Sequence, residues 1–187
     1  MNWRKEEEQE GCCMPIIPLS FKVNIDPINF SYDKNNSKYI KLSNKLLKHW
    51  KDFRNEELSN LVKDLSFEIR KLKPQVIISA AVKPNIEEAK NRFYQDWSKW
   101  IIDRSIDYAV PMNYSSNNDV FKSNIKGFYN IFPLKIIMGI GVYNQTSNSV
   151  LDKIKFIKQK QFLGISFFSY DSQKENLEYF VPIVDEF

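Results

Sequence analysis

The feature that most constrains this chain is a repeat of length rather than of residues. Short apolar runs begin at residues 76, 106, 135 and 162, at intervals of 30, 29 and 27. They are Val76–Val82, Ile106–Tyr114, Lys135–Tyr143 and Phe162–Tyr170, each followed by a segment with helical periodicity. A parallel strand needs a crossover of about a dozen residues or more, usually a helix, to reach its neighbour, so a unit of this length fits strand, loop, helix and return. Runs that are apolar nearly throughout are those of a parallel sheet covered on both faces. The expected fold class is therefore α/β with a parallel sheet, either open and doubly wound or part of a barrel.

The helical segments carry apolar residues at three- and four-residue spacing. Glu56–Leu72 presents Leu58, Leu61, Val62, Leu65, Ile69 and Leu72, and Pro74 ends it. Ile86–Ile102 reads as a single helix with Ile86, Ala89, Phe93, Trp97, Trp100 and Ile101 on one face and Asp96 at its middle, facing away from the strand ends. Asp119–Ile131 is expected to bury Val120, Phe121, Ile125 and Phe128, with Asp119 at the helix start, and Ser149–Lys160 carries Val150, Leu151, Ile154 and Ile157. A last helix is expected from Ser172, because Ser172-Gln173-Lys174-Glu175 fits the capping box. Leu177, Phe180, Val181 and Val184 form its stripe.

The first 55 residues lack this rhythm. Pro15–Ile25 reads as one strand, 33–37 as a polar loop and Tyr39–Arg54 as a helix. The expected domains are a poorly defined segment, 1–35, and a partial barrel, 36–187. Four strands and at most one more cannot close an eight-stranded barrel, and 187 residues fall short of the usual length of about 250.

Composition removes several function classes. The net charge is +4, but Lys and Asn are scattered rather than gathered into a basic stripe, so nucleic acid is not the expected partner. His49 is the one histidine, and the cysteines, Cys12 and Cys13, are adjacent. Neither a metal site nor a disulfide framework follows from them, and no cofactor motif appears. No apolar run approaches the 18 residues of a membrane span, and residues 1–10 carry no secretory signal. The sequence is expected to be soluble.

Three stretches together resemble the glycoside hydrolase-like 10 family. The first is Val76–Val82 with Arg92-Phe93-Tyr94-Gln95-Asp96-Trp97 and Trp100; the second is Ile106–Tyr114. The third is Gly139-Ile140-Gly141-Val142-Tyr143 followed by Gly164–Asp171. Trp50-Lys51-Asp52-Phe53-Arg54 and the helix after it also fit, so the resemblance covers roughly 50–172. It implies a (β/α)8 barrel whose strands five to eight are the four runs, with the N-terminal half missing or degenerate. It also implies a bacterial protein of glycosidase type acting on cell-envelope polysaccharide, such as peptidoglycan glycan strands, and usually exported or lipid-anchored. The family's strand-four signature begins with an Asp-Gly pair, and this sequence contains none. The main catalytic carboxylates are thus expected to be absent.

In such barrels the functional residues follow the carboxyl ends of the strands. Here these are Lys83 and Asn85, Asn113 and Tyr114, Tyr143 and Asn144, and Ser169, Tyr170 and Asp171. Rings and amides suit sugars, whose C–H faces stack and whose hydroxyls need donors and acceptors. The expected substrate-binding set is Asn113, Tyr114, Tyr143, Asn144, Tyr170 and Asp171, with carbohydrate as the ligand. The bland alternative is that the tyrosines only cap the barrel core. Glycoside hydrolysis needs two carboxyl groups. Asp171 is the one catalytic candidate, although its simplest role is to cap the final helix beside Ser172. Glu87 and Glu88 suit a helix N-terminus for reasons of charge alone. Unpaired edges of a half barrel also predict self-association.

Overall fold

The computed structural model describes residues 37–173 and 175–186, and the side chains from residue 44 onward except Tyr170. The expectations for Pro15–Ile25, Cys12, Cys13 and most of the 33–37 loop lie outside the described residues. The chain divides into two compact units, 1–53 and 54–187. Helix α1, Ser37–Leu72, is continuous, where two helices were expected on either side of residue 55. In the first unit Trp50 and Phe53 stack, with ring centroids 5.6 Å apart.

The second unit holds four parallel strands, β1 (Ser79–Val82), β2 (Tyr108–Asn113), β3 (Ile137–Gly141) and β4 (Gly164–Phe168). Their spatial order is β1-β2-β3-β4. A doubly wound sheet reverses its strand order at a switch point, whereas a barrel wall does not. The sequential order is compatible with part of a (β/α)-barrel. Between the strands lie α2 (Ile86–Phe93), α3 (Trp97–Ile102), α4 (Asn118–Ile125) and α5 (Ser147–Gln159), and α6 (Val181–Val184) ends the unit.

Each strand is shorter than its apolar run because the flanking residues pass into loops. The two faces of the sheet are also unequal. Val82, Ala109, Met138, Ile140 and Val142 are fully buried in one cluster with Ala89, Trp97, Phe121, Val150 and Ile154 from the helices and Phe128 from the turns after α4. β2 alternates half-buried and buried residues along its length, and Ala81, Ser166 and Phe168 on the other face are exposed. The expectation of strands covered on both faces therefore holds for one face only. The parallel arrangement stands, with period-two burial in the central strand.

The single helix expected over 86–102 is two helices. Tyr94 takes a left-handed conformation, φ 59°, and Asp96 caps the second helix by accepting from Lys99 N. The break turns Gln95 toward the sheet, where its Oε1 accepts from Lys83 N at 2.9 Å. It also lets the Trp97 indole donate to Lys83 O at 3.2 Å. An unbroken helix would point Gln95 and Trp97, two residues apart, to different faces and could not deliver both to one backbone segment. Asp96 is thus a cap rather than a mid-helix residue. Burial acts to raise its carboxyl, but bonds from Lys90 and Ser98 outweigh this and hold it below the ordinary range.

Two other helix limits differ. α4 ends at Ile125, and its continuation to Ile131 is a run of tighter turns with Phe128 N donating to Ile125 O and Ile131 N to Phe128 O. Its cap is Asn117, whose Oδ1 accepts from the N–H groups of Asp119 and Val120. The capping box at Ser172 starts no α-helix. Residues Tyr170–Ser172 form a 3-10 turn, the Ser172 hydroxyl donates back to Ser169 O, and α6 begins only at Val181. Local pattern lost here to a turn that folds the segment back on the end of β4.

Helix α1 is tied to the sheet by polar contacts. Trp100 Nε1 donates to the buried Ser59 hydroxyl at 2.9 Å, and Arg70 pairs with Asp107 at 2.8 Å. Asp107 also accepts from Ile78 N. Burial works to raise this carboxyl, yet the Ile78 and Arg70 bonds prevail and lower it.

Candidate functional site

The strand ends gather a cluster of rings on the uncovered face. Tyr114 follows β2, Tyr143 follows β3 and Phe168 ends β4. Tyr114 and Phe168 stack at 5.0 Å with an interplanar angle of 8°. Tyr143 stands edge-on to both, at 6.4 Å from Tyr114 and 6.2 Å from Phe168. Tyr143 and Phe168 remain 50% and 51% exposed, large values for rings already in contact with each other. Tyr114 is the more enclosed, and burial followed by the nearby Tyr143 raises its phenol above the ordinary value.

Glycine makes this packing possible. A Cβ on Gly141 would lie 3.1 Å from Tyr114 Cβ and 3.1 Å from Tyr143 Cε1. One on Gly139 would lie 2.8 Å from Pro111 O and 3.3 Å from Tyr114 Cε1. The Gly-Ile-Gly stretch of β3 alternates accordingly, with Ile140 in the core and both glycines beneath the Tyr114 ring.

Polar side chains fix the loops around the rings. Asn144 Nδ2 donates to Tyr114 O at 3.0 Å, linking the loops after β2 and β3. Gln145 is the centre of a second set. Its Nε2 donates to Gly141 O, its Oε1 accepts from Lys153 Nζ and from the Ser149 hydroxyl, and its backbone O accepts from the Tyr179 hydroxyl. Lys153, buried on α5, also donates to Ser116 O at 3.2 Å and to Ser149 Oγ at 3.1 Å. Burial lowers its ammonium below the ordinary range. One lysine thus holds the loop after β2 to the loop after β3. Gln173 Nε2 donates to Val142 O, which adds the segment after β4.

The expected site residues fall into different places. Tyr114, Tyr143 and Asn144 come together at the strand ends. Asn113 faces the helices instead: it is buried, its Nδ2 donates to Phe121 O at 2.9 Å, and its Oδ1 accepts from Asn124. Asn85 caps α2 through Glu88 N, and the Lys83 ammonium lies 4.4 Å over the Phe93 ring. Asp171 is exposed in the 170–172 turn, well before α6, so it does not cap that helix. The side chain of Tyr170 lies outside the described residues. Glu88 pairs with Arg92, and Glu87 accepts from Asn91, both along α2. Among the described residues no cluster of three or more His, Cys, Asp or Glu could hold a metal ion, and no helix is long and apolar enough to cross a membrane.

Sequence reasoning missed Phe168 and the Gln145–Lys153 pair. The position of Phe168 was legible as the last residue of a strand whose neighbour, Phe167, takes the core side. Gln145 left no comparable signal, because its role depends on which loops meet.

The profile of the glycosyl hydrolase-like 10 family matches residues 22–131, more than half of the chain. The chain belongs to the glycosyl hydrolase-like 10 family. The family match begins upstream of the stretch that carried the resemblance and ends before β3. Asn113 and Tyr114 fall inside it, whereas Tyr143, Asn144, Phe168 and Asp171 fall outside. No curated protein and no solved structure matches the chain.

Proposed function

We propose that this family member binds carbohydrate at the Tyr114, Tyr143 and Phe168 rim, with Asn144 beside it, and that its ligand is bacterial cell-envelope polysaccharide such as the glycan strands of peptidoglycan. The observation that carries the reading is the pair of half-exposed rings, Tyr143 and Phe168, at right angles across the strand ends (interplanar 88°). Exposed rings at fixed angles offer stacking surfaces for the C–H faces of a sugar, and a neighbouring amide supplies a hydroxyl partner. The sequential parallel order supports reading β1 to β4 as part of a barrel wall, and the rim lies at the carboxyl ends of its strands, where barrels carry function; the resemblance numbers these strands five to eight.

Glycosyl transfer to water needs two carboxyl groups about 5 to 9.5 Å apart. Glu87 and Glu88 are engaged on α2, and Asp171 has no carboxylate partner in the 170–172 turn. On this reading the described residues of the rim bind glycan without hydrolysing it. Calorimetric titration with soluble peptidoglycan fragments tests this, beside pull-down on the insoluble polymer. Tyr143→Ala and Phe168→Ala should each weaken binding roughly threefold to tenfold, as the loss of one stacking contact would. Wild-type protein that binds no glycan, or variants that bind as tightly as wild type, would remove the reading.

A further inference from the structure

Lys153 is 2% exposed and forms no ion pair among the described residues. Asp152, the residue before it, is exposed, and its field does not offset the burial that lowers the ammonium. A buried charge without a counter-ion costs stability unless its hydrogen bonds are all made. They are made here. An ammonium has three donors, and Lys153 Nζ meets three acceptors: Ser116 O, Gln145 Oε1 and Ser149 Oγ.

Two of these acceptors bear on the rim. Ser116 lies two residues beyond Tyr114, and Gln145 lies two residues beyond Tyr143. Gln145 in turn donates from Nε2 to Gly141 O, and Gly141 is the residue whose absent Cβ makes room for both tyrosines. One cation therefore holds both loops at the same offset from their rings and, through Gln145, the strand residue that lies against them.

We propose that Lys153 is a positioning residue for the rim, setting the relative placement of Tyr114 and Tyr143 by tying together the loops that follow them. Where it concerns glycan affinity this rests on the reading of the rim as a carbohydrate site; where it concerns the order of the rings it does not. Rings held in place before a ligand arrives bind it without the cost of ordering two loops. Lys153 acts through a backbone carbonyl and an amide, so its effect on the rings is separable from the packing of α5 on the core.

The test uses the full chain with fluorotyrosine incorporated, the Tyr114 and Tyr143 fluorine resonances being assigned with Tyr114→Phe and Tyr143→Phe. Calorimetric titration with soluble peptidoglycan fragments runs beside it. Lys153→Met keeps the apolar stem and removes all three donors. Both resonances should shift or broaden while the far-ultraviolet circular dichroism is kept, and glycan affinity should fall roughly threefold to tenfold. Gln145→Ala cuts the same tie from its other end and should reproduce the change, and it carries the test if Lys153→Met does not fold. The double variant should be no worse than the single ones, as for two residues of one network. Ile157→Val, which trims the buried face of the same helix, should lower the thermal midpoint and leave the resonances and the affinity in place. Unmoved resonances in folded Lys153→Met or Gln145→Ala would overturn the proposal. So would equal movement in Ile157→Val, which would make the effect one of general stability. Wild type that binds no glycan would remove the carbohydrate reading alone, and the resonances would still decide the role of Lys153.

Discussion

The two faces of one sheet have been built to different rules. Toward the helices, Met138, Ile140 and Val142 are wholly buried and meet Phe121, Phe128 and Ile154. On the other face the same strand carries Gly139 and Gly141, and the volume they leave is filled by Tyr114 from the neighbouring strand end. The covered face is dense and apolar, as a core that supplies stability should be. The open face gives up side-chain burial at two positions to let three rings gather at the rim. Stability and recognition are thus separated by the two-residue period of a strand.

That comparison breaks first at the core. Trp97→Ala removes a buried ring that packs edge-on against Phe128 at 5.0 Å and releases the indole bond to Lys83 O. A loss of about 3–5 kcal/mol is expected in chemical denaturation, enough to unfold a marginal domain. Gly139→Ala should come next. Its methyl group would press on Pro111 O, which is backbone and cannot turn aside, so a cost of about 1–3 kcal/mol is expected, with disturbed near-ultraviolet tyrosine signals. A loss below a few tenths would mean that the two strands can separate freely, contrary to the account.

Acid sharpens the contrast at the junction of α1 and the sheet. The Asp107 carboxyl is lower in the folded chain than its ordinary value near 3.9. Its contribution is present above that value and is lost as pH falls through the folded value, since unfolding then takes up a proton. Asp107→Asn should flatten the acid limb of a stability-against-pH curve below about pH 4, and leave its neutral plateau lower. The smallest stability effects belong to the open face. Tyr143→Ala and Phe168→Ala should each move the thermal midpoint little, because both rings are already half exposed.

Much of this was legible in the sequence. The strand-helix rhythm located all four strands and the principal helices, because burial against one face imposes a period that composition cannot hide. Tyr114, Tyr143 and Asn144 were legible as residues following strand ends. What was lost depends on contacts distant in sequence. The break at Tyr94 follows from Gln95 and Trp97 both serving Lys83, and no local propensity announces it. The Ser172 box satisfied every local rule for a helix start and still yielded to a turn against β4. Asn113 sat at the right strand end, but the pleat sends it to the helices, where Phe121 O and Asn124 claim its amide.

The measurement that bears most directly on the central claim is product release from peptidoglycan or its soluble fragments, made at protein concentrations where glycan binding is saturated. Bound glycan is expected, with binding weakened by Tyr143→Ala and Phe168→Ala and no new reducing ends above the rate without protein. Reducing ends that accumulate with wild type and vanish with Asp171→Asn would contradict the claim, because the rim would then carry the catalytic carboxylate that the account denies it.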